Sequence, residues 1–325
     1  MIIGIETTAH TFGVGIVDKG KILANEKDAY TTESGGIIPM DAAAHHKEVS
    51  GRIWNGALEV AGVDEDKIEA IAISQAPGLP PCLAEGMKFA KKKAKELDVP
   101  LVPVNHCVAH LEIGKIVGAK DPVMLYASGA NTQIIAYAEG KYRVFGETLD
   151  VGIGNFIDNF ARYFDLGFPG GPKVEKLAKE GKYIEVPYTI KGMDVAFSGL
   201  LTKLKQLYER GENKEDLAFS LQETAFATLV EAAERALAHT GKKELLLGGG
   251  VGCNARLQEM CKMMCEERGA KFFVPERSLL VDNGAMIAYL GEIMFKEDIF
   301  TKVENLDSLD IDSRQRTDMV EVKWK

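Results

Sequence analysis

Two histidines, His106 and His110, stand four residues apart in the run HCVAH. On a helix that spacing puts both imidazoles on one face, one turn above the other. Two neutral imidazoles converging in this way suit a single transition-metal ion. A pair of hydrogen-bonded core histidines is the plainer alternative. A metal would need further ligands from distant parts of the chain. Tyr126, in the apolar run VMLYAS that follows, offers a phenolate, and Asp282 in VDNG, where a helix is expected to begin, offers a carboxylate. Two nitrogens and two oxygens suit iron or zinc. A zinc peptidase of the HExxH type needs glutamate directly after the first histidine as general base. Here that place holds Cys107. The adjacent pair His45-His46 cannot share a helix face and reads as structural.

A phosphate site is expected beside the metal. Tyr126-Ala127-Ser128-Gly129-Ala130 runs from a strand into a polar turn ending in Asn131 and Thr132. Its hydroxyl and backbone N–H groups are donors of the kind phosphate oxygens accept from. Thr7, Thr8 and Thr11 form a comparable turn near the N-terminus, just after Glu6. A third element, Gly248-Gly249-Gly250-Val251-Gly252-Cys253-Asn254, follows a strand and opens a helix. Glycines there permit close backbone approach to a ligand, and a helix start favours an anion. This is not the dinucleotide fingerprint GxGxxG with a downstream acid. Asp158, Gly171 and Glu175 lie on or beside the helix and loop after the second group of strands. Their carboxylates suit ribose hydroxyls or an amine, although a surface ion pair serves Asp158 equally well.

These residues are positioned by a duplicated pattern. Strands are expected at 2–7, 12–17 and 22–30, a helix at 41–61, a strand at 68–75, a helix at 83–97, a strand at 101–104 and the histidine helix at about 106–117. The pattern restarts with strands at 123–128, 133–138 and 142–149. Ala9-His10-Thr11 matches Ala130-Asn131-Thr132, and Lys19-Gly20-Lys21 matches Glu139-Gly140-Lys141, which marks an internal repeat. Helices follow at 155–165 and 172–180, then an irregular stretch at 183–200 and a helix-rich one at 200–239 broken near Gly211. A strand at 244–248, a helix at 254–268, a strand at 271–274 and a helix at 282–296 complete the second half. Each half reads βββαβαβα. This predicts an α/β protein with two mixed sheets, one lobe at 1–121 and a second at 122–325. The second lobe carries a helical insertion at about 166–240 and a charged C-terminal tail, whose end VEVKWK could add a short strand. Two such lobes facing a cleft match the actin, sugar-kinase and Hsp70 architecture, an analogy that by itself implies only a nucleotide in the cleft.

Composition narrows the classes. The chain has 325 residues, 46% of them hydrophobic, enough for a substantial core. No apolar run approaches the ~20 residues of a membrane span, and MIIGIETTAH lacks the form of a signal peptide. A cytoplasmic protein is expected. Five cysteines at scattered positions fit reduced thiols. Cys261 and Cys265, one helical turn apart, read as a buried face before a soft-metal pair. A net charge of −9 argues against nucleic-acid binding through the whole surface, while leaving room for a local basic patch. Lysines 88, 91, 92 and 93 form one cluster on an expected helix, and Lys203, Lys205 and Arg210 form another. Each is otherwise a solvated helix face.

Taken in order, HCVAH, YASGANTQI, IGNFIDNFAR, GFPGGPKVE, KGMDVAFSG, GGGVGCNARL and DNGAMIA resemble the TsaD/Kae/Qri family. Within it they are most similar to the archaeal catalytic subunit of the KEOPS complex. The resemblance spans essentially residues 1–295. It implies an actin-like fold and synthesis of N6-threonylcarbamoyladenosine in tRNAs reading ANN codons, by transfer of threonylcarbamoyl from threonylcarbamoyl-AMP to the adenosine 3′ to the anticodon, with release of AMP. By matching positions, His106, His110, Tyr126 and Asp282 would hold one metal, usually iron in archaeal members. Ser128, Gly129, Ala130, Asp158, Gly171, Glu175 and Asn254 would contact the adenylate. The resemblance further implies tRNA and three protein partners: a small kinase/ATPase, a dimerising small subunit and an accessory subunit. Some archaeal relatives carry the kinase fused; a chain of this length leaves it separate. Two positions depart from the family pattern. Ala130 stands where many members have a second glycine, so an ordinary backbone conformation is expected there. Ala196 replaces a common serine, so no hydroxyl acts at that position.

Overall fold

The computed structural model describes residues 1–32 and 36–325. The first half runs β1 (Ile2–Glu6), β2 (Thr11–Asp18), β3 (Lys21–Ala29), α1 (Pro39–Ala61), β4 (Ala70–Ala76), α2 (Pro80–Leu97), β5 (Leu101–Asn105) and α3 (His106–Glu112). Its sheet has the order β3-β2-β1-β4-β5, antiparallel through the first three strands and parallel beyond β1. The second half opens with β6 (Val123–Ala127), β7 (Thr132–Ala138) and β8 (Lys141–Glu147). Four helices follow: α4 (Ile153–Tyr163), α5 (Gly171–Ala178), α6 (Ser198–Glu209) and α7 (Lys214–Thr240). A small hairpin of β9 (Ile190–Lys191) and β10 (Asp194–Val195) interrupts them. Then come β11 (Glu244–Gly248), α8 (Ala255–Glu267), β12 (Lys271–Phe273), α9 (Arg277–Leu280) and α10 (Gly284–Lys296). The second sheet has the order β12-β11-β6-β7-β8, with the same mixture of directions.

The repeat seen in the sequence is therefore a repeat of topology. Its clearest local mark is the hairpin turn. Lys19 and Gly20 have φ of 51° and 77°, and Glu139 and Gly140 have φ of 52° and 80°. Two consecutive left-handed residues make the turn whose twist matches a β-hairpin. The two Gly turns thus do the same work in each sheet.

Three cores follow from the layering. Helices α1 and α2 cover the outer face of the first sheet around Trp54, Ile71 and Ile73. Helices α4 to α8 cover the outer face of the second around Phe156, Phe160 and Phe226. Between the sheets, α3 and α10 share a third core with Ile2, Val104, Met124, Tyr126 and Leu246. The inner layer is close because glycines line it. A Cβ on Gly4 would lie 2.2 Å from the Ala288 nitrogen, and one on Gly15 2.2 Å from the Ala285 nitrogen. Helix α10, last in the chain, therefore lies backbone to backbone on the first sheet. Helix α3 faces the other way: a Cβ on Gly114, just after it, would meet the Leu246 side chain of the second sheet at 2.5 Å.

Two expected elements differ. The histidine helix is α-helical only to Glu112 and continues as a 3₁₀ turn over Ile113–Val117, ended by Gly118 at φ 92°. The close seat of Gly114 on Leu246 and the left-handed glycine leave no room for a further α turn. The C-terminal VEVKWK adds no strand. The tail is instead a strap of short turns crossing both halves. Thr301 bridges Leu101, Leu306 enters the first core, the Asp312 N–H donates to the Gln75 carbonyl, and Trp324 Nε1–H donates to Glu112 Oε1 at 2.8 Å. Among the described residues no helix is long and apolar enough to cross a membrane.

Candidate metal and nucleotide site

The C-terminal ends of β1, β5, β6 and β11 meet where α10 begins. This is the crevice in which open α/β sheets bind ligands. Asn105 caps α3, its Oδ1 accepting from the N–H groups of Cys107 and Val108 at 3.0 and 3.2 Å. The cap starts the helix at His106, so His110 falls one turn on, with ring centroids 4.7 Å apart. Asn283 caps α10 by accepting from the Met286 N–H at 2.9 Å, which leaves Asp282 just outside the helix.

Asp282 Oδ1 lies 3.4 Å from His106 Nε2 and 3.5 Å from His110 Nε2. Tyr126 Oη, from β6, lies 3.1 Å from His106 Nε2. The donor atoms of His106, His110 and Asp282 all fall within 4.8 Å of one another. His106, His110 and Tyr126 are buried, and among the described residues His110 Nε2 has no hydrogen-bond partner. A buried ring nitrogen left without a partner, beside a carboxylate and a phenol, is a donor set that fits a cation. Burial opposes charge on His106, but Glu6 and Asp282 outweigh it and hold its imidazole well above the usual histidine range. Burial pulls His110 down. Burial also works against the charge on Asp282, yet the two histidines hold its carboxyl well below the usual range. Burial, with Cys107 and Asp282 nearby, raises Tyr126 well above an ordinary phenol.

Glu6 was seen in the sequence only as an acid ending the first strand. Here its Oε2 accepts from His106 Nδ1 at 2.9 Å, and its Oε1 accepts from both the N–H and the hydroxyl of Thr8. It is wholly buried. A carboxylate on Nδ1 fixes the ring and directs Nε2 to the pocket, the usual second partner of a metal-bound histidine. No sequence signal links Glu6 to His106, because 100 residues separate them. The first polar turn is correspondingly spent inward: Thr8 holds Glu6, Thr7 N–H donates to Ser74 Oγ at 2.9 Å, and Thr11 is buried at the start of β2.

The second turn stays open. Ser128 Oγ donates to the Asn131 carbonyl at 2.9 Å, while Gly129 and Ala130 are exposed. Ala130 is not among the left-handed residues, so its backbone conformation is ordinary, as expected. The carbonyls of Ser128 and Gly129 accept from the N–H groups of Gly154 and Asn155 at the start of α4. The glycine junction packs on the same strand: Gly249 has φ 87°, and a Cβ there would lie 2.4 Å from the Ala127 carbonyl oxygen. Asp158 Oδ1 accepts from the Gly170 N–H at 2.8 Å, and burial raises its carboxyl despite Arg162 nearby. Gly171 opens α5. Glu175 Oε1 accepts from the Ala255 N–H at 2.9 Å, tying α5 to α8. Asn254 is buried, with Oδ1 capping α8 and Nδ2 donating to Gln222 Oε1 at 2.9 Å. The structure thus draws His106, His110, Tyr126 and Asp282 into one pocket. Ser128–Ala130 line its mouth, and Asp158, Gly171, Glu175 and Asn254 sit along α4, α5 and the start of α8. His45 pairs with Asp28 at 3.0 Å, and His46 Nε2–H donates to the Ala9 carbonyl at 3.1 Å; neither joins the donor set of the pocket.

Comparison with known proteins decides the family. The family model described as tRNA N6-adenosine threonylcarbamoyltransferase matches residues 21–289. The chain belongs to this family. The tRNA N6-adenosine threonylcarbamoyltransferase of Thermococcus kodakarensis is 55% identical over 324 residues, covering 99% of each chain. A probable bifunctional tRNA threonylcarbamoyladenosine biosynthesis protein of Methanocorpusculum labreanum is 51% identical over 325 residues, covering 100% of this chain and 61% of that one. Among solved structures, full-length HypF in a phosphate- and nucleotide-bound form matches with a TM-score of 0.61 and 13% identity, over 90% of this chain and 55% of that chain. Component A of (R)-2-hydroxyglutaryl-CoA dehydratase from Acidaminococcus fermentans matches with a TM-score of 0.56 and 12% identity, over 94% and 98%. At such identities these neighbours establish for the family member only its fold, the actin-like two-sheet architecture.

Proposed function

We propose that this chain transfers the threonylcarbamoyl group from threonylcarbamoyl-AMP to N6 of adenosine 37 in tRNAs that read ANN codons, forming N6-threonylcarbamoyladenosine and releasing AMP. The observation that carries the reading is the convergence of His106, His110, Tyr126 and Asp282 in one buried pocket, with an open Gly-turn at its mouth. The donor set of two imidazoles, a phenol and a carboxylate favours iron, with zinc as the second choice. When bound there, the metal would supply Lewis-acid polarisation and a template for the acyl-adenylate. The chain itself does the positioning. Glu6 holds His106 in the tautomer that presents Nε2. The exposed backbone of Gly129 and Ala130 offers donors to the adenylate phosphate. Asp158 and Glu175 present carboxylates on the wall formed by α4 and α5, suited to the ribose hydroxyls. The acyl carbon then gains the bond to N6 and loses the bond to the AMP phosphate oxygen, and N6 gives up one proton to solvent as AMP departs.

Two other classes fit less well. A phosphotransferase or ATPase of this fold has no use for a buried imidazole pair. A peptidase lacks its general base, since Cys107 is buried in the inner core and burial raises its thiol. The proposed partners are tRNA and the KEOPS subunits: a small kinase/ATPase, a dimerising small subunit and an accessory subunit. The net charge of −9 supports a division of labour in which partners carry much of the tRNA contact.

The test is tRNA modification with bicarbonate, threonine, ATP and the partner proteins, paired with metal analysis. His106→Ala and Asp282→Ala are expected to lose both the metal and the modification. Full modification by the metal-free double variant would overturn the reading, as would steady ATP hydrolysis by the chain alone with no transfer in the complete mixture.

A further inference from the structure

Beyond the pocket, the rim formed by α4, α6 and the start of α7 combines exposed aromatic rings with cations. Tyr163 and Tyr208 are 37% and 38% exposed, with ring centroids 6.3 Å apart and both rings packed on buried Phe164. Lys205 Nζ sits 4.6 Å over the Tyr163 ring. Lys214 Nζ lies 5.9 Å from the Tyr208 ring and donates to the Phe164 carbonyl at 3.2 Å. Lys203, Lys205 and Lys214 form no ion pair among the described residues; on α2, lysines 92, 93 and 95 do, while 88 and 91 do not. Glu209 is engaged by the Tyr163 hydroxyl at 3.3 Å. The rim is continuous with the pocket through one helix: Asp158 lies one turn before Arg162, whose charge reaches it, and Tyr163 comes next.

We propose that Tyr163, Lys205, Tyr208 and Lys214 form an RNA-binding rim that holds the single-stranded loop of the tRNA beside the reacting adenosine. This rests on the tRNA reading above and adds to it a footprint on the catalytic chain. Cations without carboxylate partners, on a chain of net charge −9, are complementary to a polyanion rather than to another acidic surface. Two exposed rings with ammonium groups beside them are stacking platforms for unpaired bases, and the lysines supply the charge that phosphates require. The basic cluster noticed around Lys203 and Lys205 thereby acquires a role that the pocket does not use.

The experiment measures binding of unmodified substrate tRNA by the full chain against salt, and transfer kinetics with the partner subunits present. In the Lys205→Gln/Lys214→Gln variant the slope of log affinity against log salt is expected to fall in magnitude by about 1.5, at roughly 0.7–0.9 per lost phosphate contact. Tyr163→Ala is expected to raise KM for tRNA about tenfold. In both, kcat at saturating tRNA and KM for the acyl donor stay near the parent values. Lys214→Arg, which keeps the charge, should restore the slope. An unchanged slope and unchanged tRNA KM in an active enzyme would overturn the rim while leaving the proposed reaction standing. A fall in kcat alone, or loss of a protein partner with tRNA binding intact, would also overturn it. Absence of transfer by the parent complex would instead count against the proposed function itself.

Discussion

Glu6 Oε2 and His106 Nδ1 are 2.9 Å apart in a fully buried contact, although the residues lie at opposite ends of the first half. The pair joins the first strand of one sheet to the helix that carries both histidines of the pocket. Substituting Glu6 by Gln removes the charge that fixes the imidazole but keeps its volume. Outer partners of metal-bound histidines are typically worth 10–100-fold in metal affinity. Glu6→Gln is expected to lose about that much, read by metal titration, with tRNA modification falling in parallel and the fold intact by circular dichroism. Unchanged metal affinity would show that His106 is held by packing alone.

Much of the architecture was legible because it is written twice. The strand–turn–strand–turn–strand unit, with a left-handed Gly turn in each copy, is a local signal repeated at corresponding places. His106 and His110 were legible because helical spacing is short-range, and Tyr126 and Asp282 because each ends or precedes a recognisable element. What was hidden is what depends on the fold bringing distant segments together. Glu6 is an ordinary acid until β1 stands beside α3. Asn254 reads from the sequence only as part of a Gly-rich junction, and the fold alone shows its amide capping α8 and holding Gln222. The tail looks peripheral by charge, and only Leu306 in the first core and Trp324 on Glu112 disclose that it is a strap.

The close seat of α10 on the first sheet gives a second prediction. A methyl on Gly15 would lie 2.2 Å from the Ala285 nitrogen, a backbone atom that no side-chain rotation can move. Gly15→Ala must push α10 off β2. Overpacking of this sort typically costs ~1–3 kcal/mol, and urea unfolding should register a loss at the upper end of that range. Because Asp282 directly precedes α10, metal affinity should fall with it. Gly20→Ala offers a comparison: nothing lies within 4 Å of a Cβ there, but φ is 77°. Its cost should be about 1 kcal/mol from backbone strain, with metal binding unaffected.

Acid stability should carry a histidine component from outside the pocket's donor set. His46 is fully buried, with Nε2 on the Ala9 carbonyl at 3.1 Å and Nδ1 unpartnered among the described residues. Burial holds its imidazole down at about 4 against an ordinary 6.5. The unfolded chain therefore takes up a proton below pH 6.5 that the folded chain refuses until about pH 4. The stability is present in full above the upper value and is lost as pH falls through this window, amounting to about 3 kcal/mol. Denaturant midpoints measured between pH 7 and pH 4 should fall more steeply for the parent than for His46→Gln. Parallel curves would mean that His46 is hydrated or already charged in the folded state.

The cap of the histidine helix yields the last prediction. Asn105 does two things: Oδ1 accepts from the N–H groups of Cys107 and Val108, and Nδ2 donates to Gln315 Oε1 at 3.0 Å on the C-terminal strap. The first bond pair starts the helix at His106, and the second ties that start to the strap. Asn105→Ala removes both, and loss of an N-cap costs ~1 kcal/mol. Asn105→Asp keeps the acceptor but not the donor. If the cap is what fixes the two imidazoles, the alanine variant loses stability and metal affinity together, while the aspartate variant keeps most of both. Gln315→Ala, which breaks only the strap contact, should then resemble the aspartate variant. Should Gln315→Ala instead match Asn105→Ala in metal affinity, the strap rather than the cap would be what holds the histidine helix in register with Asp282.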